Sequence, residues 1–192
     1  MRSQHGTSLI ETLFALSLGI TATTLAIPAI DHVLDDVRTA AAARYVASRI
    51  GSVRLDAVKR SDAVALRFEP VQTDYRFVVV GDGNGNGVRT ADIQSGIDTA
   101  LAPTERLTDR FPGVRFELGP GLPDADGRSG TGTDGVRVGS AGILTMSPDG
   151  TASSGTLYIR GRRGQYAVRV LGATGRTRML QWEAGTRSWT SR

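Results

Sequence analysis

Two arginines two residues apart, Arg176 and Arg178, follow Gly175 near the end of a 192-residue chain. On a β-strand, side chains at i and i+2 point to one face, so the pair would present two planar, permanently charged forks together. That geometry suits phosphate oxygens. A polyanion is the ligand such a surface would serve, with Arg160, Arg162, Arg163 and Arg169 extending it and, were the polyanion a nucleic acid, Trp182 or Trp189 stacking on bases if exposed. The plainer reading is a solvated strand face after a turn that needs its glycine, with at least one Trp in the core. The placement of charge adds weight to a polyanion surface. Residues 151–192 carry eight arginines against Glu183 alone, whereas residues 1–150 carry 15 basic and 18 acidic side chains.

A second local pattern is Asp82-Gly83-Asn84-Gly85-Asn86-Gly87-Val88, followed by Asp92. Oxygen donors at alternate positions (Asp82, Asn84, Asn86), a glycine for the sharp turn, the Val88 carbonyl and a closing carboxylate are what a Ca²⁺ loop requires. The run resembles EF-hand and dockerin loops in its first seven positions, although Asp92 stands at position eleven, where those loops close at twelve. With only Asp82 and Asp92 charged, calcium affinity would be weak and of the extracellular kind. The same composition also makes an Asn-Gly hairpin turn. Catalytic chemistry finds no support. The chain has no cysteine, which removes thiol catalysis, disulfide exchange and zinc-thiolate sites, and its two histidines, His5 and His32, both lie in the N-terminal region. With no Walker loop and no buried Ser-His-Asp arrangement to be built from them, the sequence reads as a non-enzyme.

The N-terminal region carries the most specific signal. A short leader ending in Gly6 runs into Thr7-Ser8-Leu9-Ile10-Glu11, and from Leu13 to Ile30 there is no charge. A carboxylate inside a bilayer-length helix costs roughly 2.5 to 3.5 kcal/mol on insertion scales, so Glu11 implies a partner charge. The hydroxyls of Ser17, Thr21, Thr23 and Thr24 make the stretch moderately apolar and can bond back to helix carbonyls. This pattern resembles the processing site of type IV prepilins and type II secretion pseudopilins. The resemblance implies cleavage after Gly6 by a prepilin peptidase and N-methylation of the new terminus, Thr7. It also implies that Glu11 neutralises the amine of a neighbouring subunit as helices bundle in a filament. Pro28 matches a proline that often kinks pilin helices.

These groups need elements to position them. Beyond Pro28 a helical period continues to Lys59 through Val33, Val37, Ala41, Tyr45, Ile50, Val53 and Ala57, which predicts that the lower half of a long helix packs on a globular head. The period then changes to two at Val64, Leu66 and Phe68, and Tyr75 to Val80 supplies a partner strand through a link at Pro70 to Asp74. Further strands are predicted at Val114 to Leu118, Gly142 to Ser147, Thr156 to Arg160, Tyr166 to Leu171, Arg176 to Trp182 and Thr186 to Trp189. Gly119 to Gly139 reads as a mobile loop. The fold class is α+β, a long N-terminal helix packed on an antiparallel head. The order Met146-Ser147-Pro148-Asp149-Gly150, Gly155 to Ile159, Tyr166 to Val170 and Gly175-Arg176-Thr177-Arg178 resembles the C-terminal region of the GspH/FimT family of pseudopilins and minor pilins. Membership implies a leader (1–6), a membrane and assembly helix (7–30) and a periplasmic head (31–192) anchored in the inner membrane. The implied partners are other pilin or pseudopilin subunits, in a secretion pseudopilus or a type IV pilus. Some FimT-like members bind DNA during uptake through a Gly-Arg-x-Arg motif, which residues 175–178 match.

Overall fold

The structure, a computed structural model, describes residues 8–125, 132–139 and 141–192, with backbone alone for residues 22–32. It is α+β. One helix, α1 (Leu9–Arg60), precedes two antiparallel sheets, and α1 is helical throughout its 52 residues, Pro28 included. The first sheet has the order β3 (Thr99–Ala100), β2 (Asp74–Gly81), β1 (Val64–Val71), β7 (Ile143–Met146), with β4 (Glu105–Arg106) also on β2. The second runs β11 (Ser188–Ser191), β10 (Arg176–Glu183), β9 (Gln165–Leu171), β8 (Gly155–Arg160), β5 (Arg115–Phe116), with β6 (Val136–Val138) also on β8. Of two short helices, α2 (Thr90–Ser95) lies between β2 and β3 of the first sheet and α3 (Leu107–Arg110) between β4 and β5, where the chain passes to the second sheet.

The main core lies between the lower half of α1 and both sheets. Val46, Ile50, Val53 and Ala57 from the helix meet Leu66 and Phe68 of β1, Leu144 and Met146 of β7, Leu157 and Ile159 of β8, and Val168 and Val170 of β9. The predicted face of α1 holds from Ile50 onward, but upstream it is displaced: Val33 and Val37 are exposed, and the buried positions are Asp35, Thr39, Ala40, Ala42, Ala43 and Val46. The reason is polar. The Asp35 carboxylate accepts hydrogen bonds from the backbone N–H groups of Arg162 (3.0 Å), Arg163 (2.9 Å) and Gly164 (3.4 Å) in the turn between β8 and β9. Burial pushes the Asp35 pKa up, but these three donors and the Arg162 charge outweigh it and hold the carboxyl below its ordinary value of 3.8. Gly161 is required here, because a Cβ would collide with Thr39 Oγ1 and come 3.0 Å from Asp35 Oδ1. Lower down, Glu105 takes the Tyr45 hydroxyl and Arg49 (2.5 Å), and Arg54 Nε donates to the Gly150 carbonyl at 2.8 Å.

The predicted strands are all present within a residue or two, apart from the Val114 to Leu118 strand, which shrinks to the two residues of β5, and the last, which shifts to Ser188–Ser191. The β1–β2 link is tighter than the sequence suggested: Pro70 and Val71 belong to β1, paired with Tyr75 and Asp74, and Gln72 takes φ 56° at the turn. The loop expected over Gly119 to Gly139 contains β6, whose three residues pair with Leu157, Thr156 and Gly155. Its described first part is tied down as well, through Gly119 N–H to Gln165 (2.9 Å) and Ala125 N–H to the Tyr158 hydroxyl (2.9 Å).

Candidate anion-binding face

The upper part of α1 carries the assembly residues expected from the sequence. Gly6 and Thr7 lie outside the described residues. Glu11 is in the first turn of α1, exposed, its N–H bonded to the Ser8 carbonyl at 3.0 Å. Around it Leu9, Ile10, Leu13, Phe14, Leu16, Leu18 and Ile20 are 58–79% exposed, an apolar surface that none of the described residues covers. Hydroxyls return to the helix backbone as expected, from Thr12 to Leu9, Ser17 to Phe14 and Thr21 to Ser17, at 2.7–2.8 Å. Among the described residues no helix is long and apolar enough to cross a membrane, and the expected membrane segment, residues 7–30, falls in part outside them.

The arginine motif lies at the start of β10. Gly175 has φ 60°, and a Cβ there would run into the Gly150 carbonyl and lie 2.8 Å from Arg54 Nε, so both conformation and packing demand glycine. Arg176 and Arg178 then emerge exposed on the face of the second sheet turned away from α1, with Arg178 Nε 3.3 Å from Ser191 Oγ. The strand register sets what stands beside them. Arg178 is opposite Arg169, Arg169 is opposite Thr156, and Thr156 is opposite Arg137. Directly opposed residues share a face, so Arg137, Thr156, Arg169 and Arg178 form one row across four strands, spanning about 14 Å at the usual strand spacing. Beside this row is a cleft of about 580 Å³, lined among others by Asp124, Arg137, Ser154, Thr156, Tyr158 and Arg169.

The other arginines expected to extend the surface do not join this row. Arg160 is ion-paired with Glu117, which also holds Arg115, at the far end of the sheet. Arg162 and Arg163 sit in the turn that caps Asp35, beside the helix. Neither Trp is an open stacking platform. Trp189 packs with Leu118, Tyr158, Ala167 and Leu180 in a second apolar cluster and donates Nε1–H to the Pro123 carbonyl at 3.0 Å. Trp182 is half-buried against it with ring centroids 5.5 Å apart. Sequence reasoning missed Arg137, which stands in what looked like loop. Its signal was the alternation Val136-Arg137-Val138, whose two valines are buried.

The Asp82 loop joins β2 to α2, so it is not a simple hairpin turn. Asp82 Oδ1 accepts from Asn84 (3.0 Å) and Gly85 (2.8 Å), Oδ2 accepts from Gly87 (2.6 Å), and Asn84 Oδ1 accepts from Asn86 (3.2 Å). Burial raises the Asp82 pKa, but its backbone donors outweigh that and lower it overall. Val88 is a core residue, packed with Ala65 and Val80. Asp92 contributes its carbonyl to the N–H groups that end α2, at 2.9 Å from Ile97 and 3.1 Å from Asp98. The carboxylate that closes the loop is one the sequence reading passed over: buried Asp98 accepts from Gly83 (3.0 Å) and Arg89 (2.9 Å), bridging both ends. Among the described residues no group of three or more acidic or histidine side chains is placed to hold a metal ion. The loop's side-chain oxygens thus accept hydrogen bonds from its own backbone.

Compared with known proteins, the chain matches no family model, no curated protein and no solved structure.

Proposed function

We propose that the chain is a pilin-like subunit of the GspH/FimT kind, a minor pseudopilin or minor pilin without enzymatic activity. It would be cut after Gly6 by prepilin peptidase, methylated on Thr7 and held in the inner membrane with its head in the periplasm. From there it assembles with other subunits into a pseudopilus that supports protein secretion or into a type IV pilus. The observation that carries this reading is the upper half of α1: large apolar side chains stand uncovered around the single carboxylate of Glu11. A monomer gains nothing from such a surface, whereas lipid and neighbouring helices would cover it. The test is Glu11→Ala in cells with an active prepilin peptidase. Cleavage should proceed normally while incorporation into filaments falls; normal incorporation would remove the charge-pairing role.

A second reading, favoured by the register that sets Arg169 opposite Arg178, is a pilus subunit that binds DNA through Arg176 and Arg178. The register sets both guanidinium side chains on one face of adjacent strands, within the reach of a single polyanion. Binding of the full chain in non-ionic detergent should weaken with salt and be lost in Arg176→Ala/Arg178→Ala; unchanged affinity in that variant would discard this reading.

A further inference from the structure

The arginine row does not end at the motif. At its other end Arg137 is held in an ion pair by Asp124, donates to the Gly132 carbonyl at 3.2 Å, and lies over the Tyr158 ring with its guanidinium carbon 5.3 Å from the centroid. Asp124 and Arg137 both line the cleft, and each is largely withdrawn from solvent, with side chains 17% and 28% exposed. The cleft wall between them and the motif offers Ser154, Thr156 and Arg169. We infer that this cleft is a binding site for a phosphodiester strand, which enters over Arg176 and Arg178, passes Arg169 and Thr156, and ends on Arg137, where a phosphate replaces the Asp124 carboxylate. The inference rests on the DNA-binding reading above and adds a path and an internal competitor to it.

The chemistry follows from the groups present. A carboxylate and a phosphate both satisfy a guanidinium through charge-assisted hydrogen bonds, so they are alternatives on Arg137. The guanidiniums of Arg137, Arg169, Arg176 and Arg178 and the hydroxyls of Ser154 and Thr156 along the path recognise backbone oxygens without reading bases, which makes the site tolerant of sequence. Asp124 subtracts one charge from the row and must be displaced for the last contact to form. The loop that carries it keeps other attachments, through Ala125 to Tyr158 and Pro123 to Trp189, so displacement asks for a side-chain change rather than loss of the loop.

The experiment is oligodeoxynucleotide binding by the full chain in non-ionic detergent across a salt series. Asp124→Asn should bind on the order of five- to tenfold more tightly, because Arg137 no longer has a resident anion. Asp124→Glu, which keeps the charge, should bind like the parent. Arg137→Gln should bind more weakly, with a salt slope shallower by about one. Arg137→Gln also tests the same pair from its other side should Asp124→Asn fail to fold. Parental affinity and slope in both Asp124→Asn and Arg137→Gln, with binding still lost in Arg176→Ala/Arg178→Ala, would overturn the cleft path and leave the motif reading intact. No binding by the parent chain at low salt would overturn both.

Discussion

The two halves of α1 are one continuous helix in opposite environments. Above, Leu9, Phe14 and Ile20 are 79%, 70% and 65% exposed; below, Ala43, Ile50 and Ala57 are wholly buried. The lower half is fixed by packing and by polar attachments at Asp35, at Tyr45 and Arg49, and at Arg54. In the upper half the hydroxyls of Thr12, Ser17 and Thr21 return to their own helix. Helices draw most of their stability from tertiary packing, so the lower half is held by the head, and on the reading proposed above the upper half is held by lipid and neighbouring helices. The contrast also shows that apolar residues are not what mark the docked region. Its upper boundary is a carboxylate.

The contrast can be broken most strongly at its core. Ile50→Ala should lower the unfolding free energy of the head by about 3 kcal/mol, while Ile20→Ala on the exposed half should change it by less than about 0.5 kcal/mol, both read by urea titration in detergent. Comparable effects would mean that the upper half is also packed on the head. Asp35→Ala should cost about 2 kcal/mol by leaving three N–H donors of the 162–164 turn without their acceptor. The sign of its pH dependence follows from the lowered carboxyl pKa. The Asp35 contribution is complete above the ordinary Asp value and is lost as pH falls through the lower folded value, so it disappears below about pH 4. Asp35→Asn should therefore flatten the acid limb of stability against pH; an unchanged limb would assign that limb to other carboxylates. Among the ties between helix and head the smallest effect is expected from Tyr45→Phe, about 1 kcal/mol, because Glu105 keeps Arg49 and the ring keeps its contact with Phe111 at 5.7 Å. A loss as large as that of Ile50→Ala would make the Glu105 attachment, not the apolar face, the main tie between helix and head.

Much of the fold was legible because alternation and turn residues are local signals. Tyr166 to Leu171 and Arg176 to Glu183 announce themselves as strands, and Gly175 announces the turn between them. The upstream face of α1 was not legible, because Asp35 and Thr39 are polar residues on a buried face and the donors that justify Asp35 lie 127 to 129 positions away. The site divides in the same way. Arg176 and Arg178 were visible from their spacing and Arg169 was expected beside them, whereas Arg137 is brought into line by register across four strands. Asp98 escaped for a related reason: a carboxylate that bridges two loop ends has no spacing rule of its own.

The attachment at Asp35 has a mechanical consequence. Asp35 and Arg54 are separated by about 28 Å along the helix axis at 1.5 Å per residue, so the ties between α1 and the head are strung out in line. A pull on the upper end of the helix meets the Asp35 tie first, and that tie grips the tip of the β8–β9 hairpin rather than a flexible surface loop. Tension is thereby handed directly to the two strands at the centre of the second sheet, whose ladder spreads it over four residue pairs, from Arg160 and Gln165 to Leu157 and Val168, before it reaches the pair of Thr156 and Arg169 in the arginine row.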